Sequence, residues 1–236
     1  MALAYDAAGF EVWVTDVDRA ALAACPRTWR CLEANAADEG QMAAVFAEMD
    51  RIDVLCANAG IAGPTALIED IALADWRACV SVNLEGAFLA AKYAAPLMKA
   101  AGQGAIVLTS STAGIYGYPN RAPYAAAKWA IIGLMKTLAM ELGPFGVRAN
   151  AICPGAVEGP RMEGVLEREA QAKSMTRDAV YNGYAQGTSM CAFVTAQDIA
   201  DMAVFLGSPQ AKMVSGQVIA VDGHTENPDP KVGAPH

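Results

Sequence analysis

The chain has 236 residues, a length that suits one α/β domain. More than half of the residues (54%) are hydrophobic, so the chain can bury a large core. The formal net charge of −8 indicates an acidic surface, which repels phosphate backbones and anionic lipids. We therefore expect neither nucleic acid nor a membrane surface as a partner.

The cysteines and histidines argue against a metal site. The six cysteines show no metal-ligand spacing, and the two histidines, His224 and His236, lie near the C-terminus. We predict free, buried thiols in a reducing compartment and no bound metal. Asp6 and Glu11 fall where a signal peptide would be apolar, so we expect a cytoplasmic protein.

Short apolar runs alternate with amphipathic segments along the chain. The apolar runs predict strands at Glu11–Val17, Trp29–Ala34, Asp53–Ala57, Ala105–Thr109, Arg148–Cys153 and Gln217–Val221. Helices are predicted at Asp38–Met49, Ala74–Ala101, Pro123–Leu142, Arg161–Gly183 and Ala196–Leu206. Strands that are apolar on every residue, such as DVLCA and AIVLT, are typical of parallel sheets covered on both faces. We predict a three-layer αβα fold with a doubly wound, Rossmann-type parallel sheet, forming a single domain over 1–236 with a tail at 224–236.

The N-terminal segment reads as the middle of a nucleotide-binding unit. Met1–Ala8 fits the end of a helix, and the strand after it ends in Asp16. A dinucleotide fold normally opens with a strand and a glycine-rich turn before that helix, so we expect the first strand and the phosphate loop to lie upstream of Met1. A carboxylate at residue 16 can accept hydrogen bonds from ribose hydroxyls and repels a 2′-phosphate, which favours NAD over NADP. A solvated strand-end or helix-capping role for Asp16 is the alternative.

Two further segments carry polar or small residues next to apolar patterns. The strand DVLCA runs into Asn58-Ala59-Gly60, whose small residues allow a ring or ribose to approach the backbone, although an ordinary loop has the same composition. Asn83 lies inside an apolar helical pattern, where asparagine competes for backbone hydrogen bonds. Either a kink that frees a carbonyl or a solvent-facing side chain explains Asn83.

The segments after the strand AIVLT carry groups suited to proton transfer. The strand is followed by Ser110-Ser111, and Tyr124 and Lys128 stand four residues apart at the start of a helix, on one face. A tyrosine phenol titrates near 10, and a neighbouring ammonium supplies about the energy needed to make it a base near neutral pH. Pro154-Gly155 ends another buried strand, and Val157 follows with backbone groups where a carboxamide can dock. A plain strand-to-helix turn is the alternative there.

Together these residues resemble the short-chain dehydrogenase/reductase family. The resemblance covers essentially the whole chain, with Asn58-Ala59-Gly60, Asn83, Ser111 with Tyr124-x-x-x-Lys128, and Pro154-Gly155 in family order. The chain departs from the family in lacking the T-G-x-x-x-G-x-G turn. It also has LEANAAD where the family often has Asp-Val, so the resemblance assigns the adenine-side position to Asn35.

The resemblance implies an oxidoreductase that interconverts a secondary alcohol and a ketone. It makes Tyr124 the general acid/base, Lys128 its activator and a ribose ligand, and Ser111 the holder of the substrate oxygen. Asn83 would support a water-linked proton relay. The implied cofactor-binding residues are Asp16, Asn35, Asn58, Ala59, Gly60, Tyr124, Lys128, Pro154, Gly155 and Val157. The implied cofactor is NAD, with NADP less favoured, and the assembly a homodimer or homotetramer.

The segment over about 159–195 corresponds to the family's substrate lid. Arg161, Lys173 and Arg177 could meet an anionic substrate or form surface ion pairs, and Tyr116, Tyr118 and Met190 could be pocket walls or packing residues. Two other functions compete with the oxidoreductase. A non-catalytic structural or regulatory subunit would not need the Ser–Tyr–Lys set, and a dehydratase or epimerase usually has a larger C-terminal substrate domain.

Overall fold

A computed structural model of the chain describes residues 1–228. Residues 229–236, the end of the predicted tail with His236, lie outside the described part. The strands are β1 (Trp13–Asp16), β2 (Arg30–Glu33), β3 (Val54–Ala57), β4 (Gly104–Thr109), β5 (Val147–Pro154) and β6 (Val218–Val221). The α-helices are α1 (Ala2–Ala7), α2 (Arg19–Ala23), α3 (Glu39–Ala47), α4 (Leu73–Val80), α5 (Gly86–Ala101), α6 (Ala122–Leu142), α7 (Pro160–Ala172), α8 (Arg177–Gln186) and α9 (Ala196–Gly207).

The strands form parallel sheets with helices on both sides, which confirms the predicted fold class. β3, β4, β5 and β6 pair in that order, and β1 pairs with β2. Apolar residues of α3, α5 and α6 pack with one side of β3–β5, and residues of α1 and α9 pack in a second cluster with β4 and β5. All six strands lie within two residues of their predicted bounds.

The two sheets are not joined by hydrogen-bonded strands within residues 1–228. They are connected through side chains instead, since Val14 of β1 and Val54 of β3 pack in the same apolar cluster as Tyr5 of α1. The Tyr5 hydroxyl donates a 2.6 Å hydrogen bond to the carbonyl of Ala203 in α9. The single-domain organisation stays a prediction.

Two of the helical predictions needed correction, and one helix was missed. The predicted helix Ala74–Ala101 consists of α4, a π-helical turn over Ser81–Glu85, and α5. The predicted helix Arg161–Gly183 is two helices, because Ser174 adopts a positive φ of 52° between α7 and α8. Helix α2 was missed, although Asp18 caps it by accepting hydrogen bonds from the amides of Ala20 and Ala21. Helices of this length are too short for a periodic signal.

None of the helices in the described range combines the length and the apolar character that a membrane-spanning segment requires.

Candidate active site

The two serines after β4 have different surroundings. Ser110 is buried and donates a 2.7 Å hydrogen bond from its hydroxyl to the carbonyl of Lys128. Ser111 is partly exposed and caps a short 3₁₀ turn, its Oγ accepting a 3.1 Å hydrogen bond from the amide of Ala113. Ser110 therefore fixes β4 to α6, while the hydroxyl hydrogen of Ser111 is available to another acceptor.

Tyr124 and Lys128 occupy the first two turns of α6. Pro123 stands in the first turn, where a missing amide hydrogen costs nothing, so the helix starts just before Tyr124. The Lys128 ammonium lies 5.6 Å from the centroid of the Tyr124 ring and donates a 2.8 Å hydrogen bond to the carbonyl of Thr109. The i, i+4 spacing thus puts both side chains beside the end of β4.

Lys128 is only 3% exposed. Burial, and to a smaller extent the positive charge of Arg161, lowers the pKa of Lys128 to about 8. Lys128 stays protonated at neutral pH, although burial makes its charged form energetically unfavourable. Such a costly buried charge is more common at functional sites than in structural cores.

Asn83 is buried in the π-helical turn and does not face solvent. Its Nδ2 donates hydrogen bonds to the carbonyls of Cys79 (2.8 Å) and Ile61 (3.0 Å), and its Oδ1 has no partner in the described part of the chain. A β-carbon on Gly60 would lie 2.5 Å from that Oδ1 and 3.6 Å from the Lys128 ammonium. Glycine at position 60 therefore lets the loop after β3 pack directly on Asn83 and Lys128.

The ends of β3, β4 and β5 surround one cleft of about 500 Å³. Of the residues singled out in the sequence, the cleft is lined by Asn58, Ser111, Tyr124, Lys128, Pro154, Gly155 and Val157. Asn58 is held by Thr109, whose hydroxyl donates a 3.0 Å hydrogen bond to Asn58 Oδ1. The carboxyl ends of parallel strands share one edge, so residues far apart in sequence meet there.

Five predicted residues lie outside the lining of this cleft, one of them Asn83, described above. Ala59 and Gly60 follow Asn58 in the same loop. Asp16 is exposed at the end of β1, and its Oδ1 accepts a 3.0 Å hydrogen bond from the amide of Asp18. Asn35 follows β2 and accepts from the amide of Ala37. Asp16 and Asn35 thus belong to the two-stranded part of the structure, at the carboxyl ends of its strands.

The three cations of the lid segment have different roles. Arg177 pairs with Glu163 and Asp178, as expected of a surface ion pair. Lys173 contacts Glu169 at 3.2 Å, but this pair is buried. Arg161 is exposed and lines the cleft.

The three possible pocket walls also differ. Tyr118 lines the cleft. The Tyr116 hydroxyl instead donates to the carbonyl of Thr225, which makes it a packing residue. Met190 is 72% exposed and does not line the cleft.

The chain is similar to known proteins in both sequence and structure. A family model described as "Enoyl-(Acyl carrier protein) reductase" matches residues 1–224. The chain is 40% identical over 188 residues to a trans-4-hydroxycyclohexanecarboxylate dehydrogenase of Sinomonas cyclohexanicum, covering 78% of this chain and 66% of that protein. It is 36% identical to a 3-oxoacyl-(acyl-carrier-protein) reductase of Thermotoga maritima, covering 76% of this chain and 68% of the relative. The chain belongs to the short-chain dehydrogenase/reductase family.

The structural similarity extends over nearly the whole of this family member. The crystal structure of an NAD⁺-bound xylitol dehydrogenase superposes with a TM-score of 0.89 at 26% identity, covering 94% of this chain and 92% of that one. In sequence, the chain spans about two thirds of the length of the curated relatives named above.

Sequence reasoning missed two charged residues of this dehydrogenase/reductase fold. Arg121 lines the cleft three residues before Tyr124, and Glu169 of α7 lies behind it. No spacing rule pointed to Arg121, because its position matters only once α6 and the lid are packed together. Glu169 could have been noticed as a polar residue on the apolar side of an amphipathic helix.

The cysteines of this family member are all free. Cys79 and Cys153 are buried, as predicted, but Cys191 is exposed and the other three are partly exposed. Burial raises the pKa of Cys56 to about 11 and also raises those of Cys79 and Cys153, which keeps these thiols unreactive. No group of three or more His, Cys, Asp or Glu side chains that could hold a metal ion occurs in residues 1–228.

Proposed function

We propose that the protein is an NAD(P)-dependent oxidoreductase that interconverts a secondary alcohol and a ketone. The observation that carries this proposal is the meeting of Ser111, Tyr124 and a buried Lys128 at one cleft. Family membership supports the same reaction class, since the relative from Sinomonas cyclohexanicum is named as a dehydrogenase of a hydroxy acid. A scaffold protein would have no need to bury Lys128.

Ser111 holds the substrate oxygen in this mechanism. Its Oγ already accepts a hydrogen bond from the amide of Ala113, which orients the remaining O–H toward an external acceptor. The hydroxyl can therefore donate to a ketone oxygen and stabilise the negative charge that develops on it during reduction. The same contact holds an alcohol oxygen in the reverse direction.

Tyr124 moves the proton of the alcohol, and Lys128 makes that transfer possible near neutral pH. The ammonium of Lys128 favours the negative form of the phenol, and its hydrogen bond to the carbonyl of Thr109 fixes its position. Asn83 supports this arrangement from behind, because its amide fixes the loop that packs against Lys128. The proton leaves through a water-linked relay beside Asn83.

The residues present fit a nicotinamide dinucleotide. The cleft next to Tyr124 and Lys128 is lined by Asn58, Pro154, Gly155 and Val157. In the loop beside them, Ala59 has a small side chain and Gly60 has none, which leaves room for a ligand. Asp16 offers a carboxylate for ribose hydroxyls, which favours NAD over NADP, and Asn35 offers an amide on the adenine side. When bound, the nicotinamide ring supplies or accepts the hydride.

A non-catalytic subunit is the second candidate. The observation in its favour is that the two sheets are not hydrogen-bonded to each other within residues 1–228, which leaves the nucleotide-binding half with few contacts.

The test of the proposal is the change Tyr124→Phe. We expect a loss of about a thousandfold in kcat for alcohol oxidation with unchanged folding by circular dichroism, because only the phenolic oxygen is removed. The matched control is Tyr181→Phe in α8, which keeps its activity because Tyr181 does not line the cleft. Full turnover in the Tyr124 variant would refute the proposed mechanism.

We also propose a homodimer or homotetramer. Large apolar side chains are exposed on α5 and α6, among them Phe88, Trp129 and Met140. Covering these side chains with a second copy of the chain would remove apolar surface from water. Light scattering that gives the mass of a monomer would refute this part of the proposal.

A further inference from the structure

Two cations, not one, lie beside the Tyr124 ring. Lys128 is on the same helix, with its ammonium 5.6 Å from the ring centroid. The guanidinium carbon of Arg121, the residue that precedes α6, lies 4.9 Å from the same centroid. Arg121 is only 6% exposed, so water screens its charge poorly.

The partners of Arg121 hold it in position without neutralising it fully. Its Nη2 donates a 3.2 Å hydrogen bond to the carbonyl of Ala62, in the loop after β3. Its Nη1 lies 3.6 Å from Glu169 Oε1, an ion-pair distance that is too long for a good hydrogen bond. Its Nε is buried and has no partner among the described residues.

Glu169 is fixed by both lid helices. It lies on α7, is 2% exposed, and accepts a 2.7 Å hydrogen bond from the hydroxyl of Tyr184 on α8. Burial, together with Tyr118 and Glu169 nearby, raises the pKa of Tyr184, so that hydroxyl stays protonated and remains a donor. Lys173 also contacts Glu169, so the carboxylate is shared between several partners.

On the basis of the proposed role of Tyr124, we propose that Arg121 is a positioning residue that stabilises the phenolate of Tyr124 together with Lys128. Glu169, on the lid helix α7, limits the stabilisation of the phenolate by Arg121, because its carboxylate fixes the guanidinium and partly offsets its positive charge. A cation beside the ring favours the anionic phenol, and a carboxylate behind that cation opposes it. The lid helices therefore contribute to the proton-transfer step through Glu169, which does not line the cleft.

Other charged groups also face this end of the cleft. Arg161 at the start of α7 and Glu158 just before it line the cleft with Tyr124, and Lys128 contributes from α6. Tyr118 and Ser111 add neutral hydroxyls. The effect of Arg121 is isolated by changing Arg121 or Glu169 alone, since these other groups stay constant.

The experiment measures kcat/KM for alcohol oxidation against pH in three variants. Arg121→Met should move the acid limb up by about one pH unit, since a positive charge beside the phenol is lost. Glu169→Gln should move it down, since a negative charge is lost. Arg121→Lys should restore most of the wild-type profile. Shifts of opposite sign are not produced by a merely structural role.

A second readout does not depend on turnover. Tyrosinate absorbance near 295 nm is titrated in each variant, and the signal of the corresponding Tyr124→Phe protein is subtracted. The remaining signal should shift in the same directions as the rate profile. Arg121→Gln serves as a second neutral variant if circular dichroism reveals that Arg121→Met does not fold.

The lid provides a matched control. The guanidinium carbon of Arg177 lies 5.0 Å from the centroid of the Tyr181 ring, and Arg177 pairs with Glu163. These are the same residue types as Arg121, Tyr124 and Glu169, but none of the three lines the cleft. Arg177→Met should leave both pH midpoints unchanged. An unchanged midpoint in both neutral Arg121 variants, with Tyr124→Phe inactive, overturns this inference alone. An active Tyr124→Phe overturns the proposed function instead.

Discussion

The two sheets of the protein differ sharply in how they are stabilised. Most residues of β4 and β5 are buried, whereas β1 and β2 contain no fully buried residue. β4 and β5 have strands on both sides and helices on both faces, whereas within residues 1–228 β1 pairs only with β2. The half built on β3–β6 therefore rests on extensive apolar burial. The two-stranded half, β1 and β2, rests on few contacts, so on the proposed function changes there should alter cofactor binding before they alter folding.

The largest expected effect tests this difference in stability directly. Ile106 is fully buried in β4, and Ile106→Ala should lower the free energy of unfolding by about 2–5 kcal/mol, through lost burial and the cavity it leaves. Val14→Ala in the partly exposed β1 should cost about 1 kcal/mol or less. Urea unfolding measures both values, and equal losses would contradict the comparison.

A smaller effect is expected from Lys128, the buried cation of the half built on β3–β6. The pKa of Lys128 is lowered to about 8 in the folded protein, below its unfolded value near 10.5. Both states are protonated below pH 8, so the folded state carries the full cost there. Between about pH 8 and 10.5 the unfolded state binds more protons, so stability rises with pH in that window. Lys128→Met should thus stabilise the protein by up to about 3 kcal/mol at pH 7 while abolishing turnover.

This gain should shrink as the pH rises from 8 to 10.5. Lys136→Met is the matched control, because Lys136 lies on the same helix but is exposed. Lys136→Met should not reproduce the stability gain of Lys128→Met, because no buried charge is removed. A stability gain for Lys128→Met that stays constant with pH would mean that the lysine charge is not the cause.

The smallest effect concerns the two-stranded half. Asp16→Ala should weaken NADH binding about tenfold, the loss expected for hydrogen bonds to a charged group, and should reduce the preference for NADH over NADPH. Fluorescence titration measures both affinities, with Asp6→Ala on α1 as the control. If the folded wild-type chain binds neither nucleotide, the non-catalytic alternative gains support.

The strands could be predicted because their burial is reflected in the local pattern of apolar residues. AIVLT and DVLCA are apolar on every residue because they are covered on both faces, so the sequence itself records their environment. The same argument explains why the strand-end residues Asn58 and Pro154 could be singled out. The break between α7 and α8 left no such signature, because Ser174 adopts its left-handed backbone without a glycine.

The sequence by itself determined the fold class, the six strands and the spacing that brings Tyr124 and Lys128 to one helix face. These features depend on local periodicity and on the rule that parallel strands share one carboxyl edge. Only the tertiary structure decided that Asn83 is buried in a π-helical turn and that Arg121 stands over Tyr124. It alone revealed that Glu169 of the lid holds Arg121. These contacts join segments up to 48 residues apart, and their energies depend on burial and distance, which no local pattern encodes.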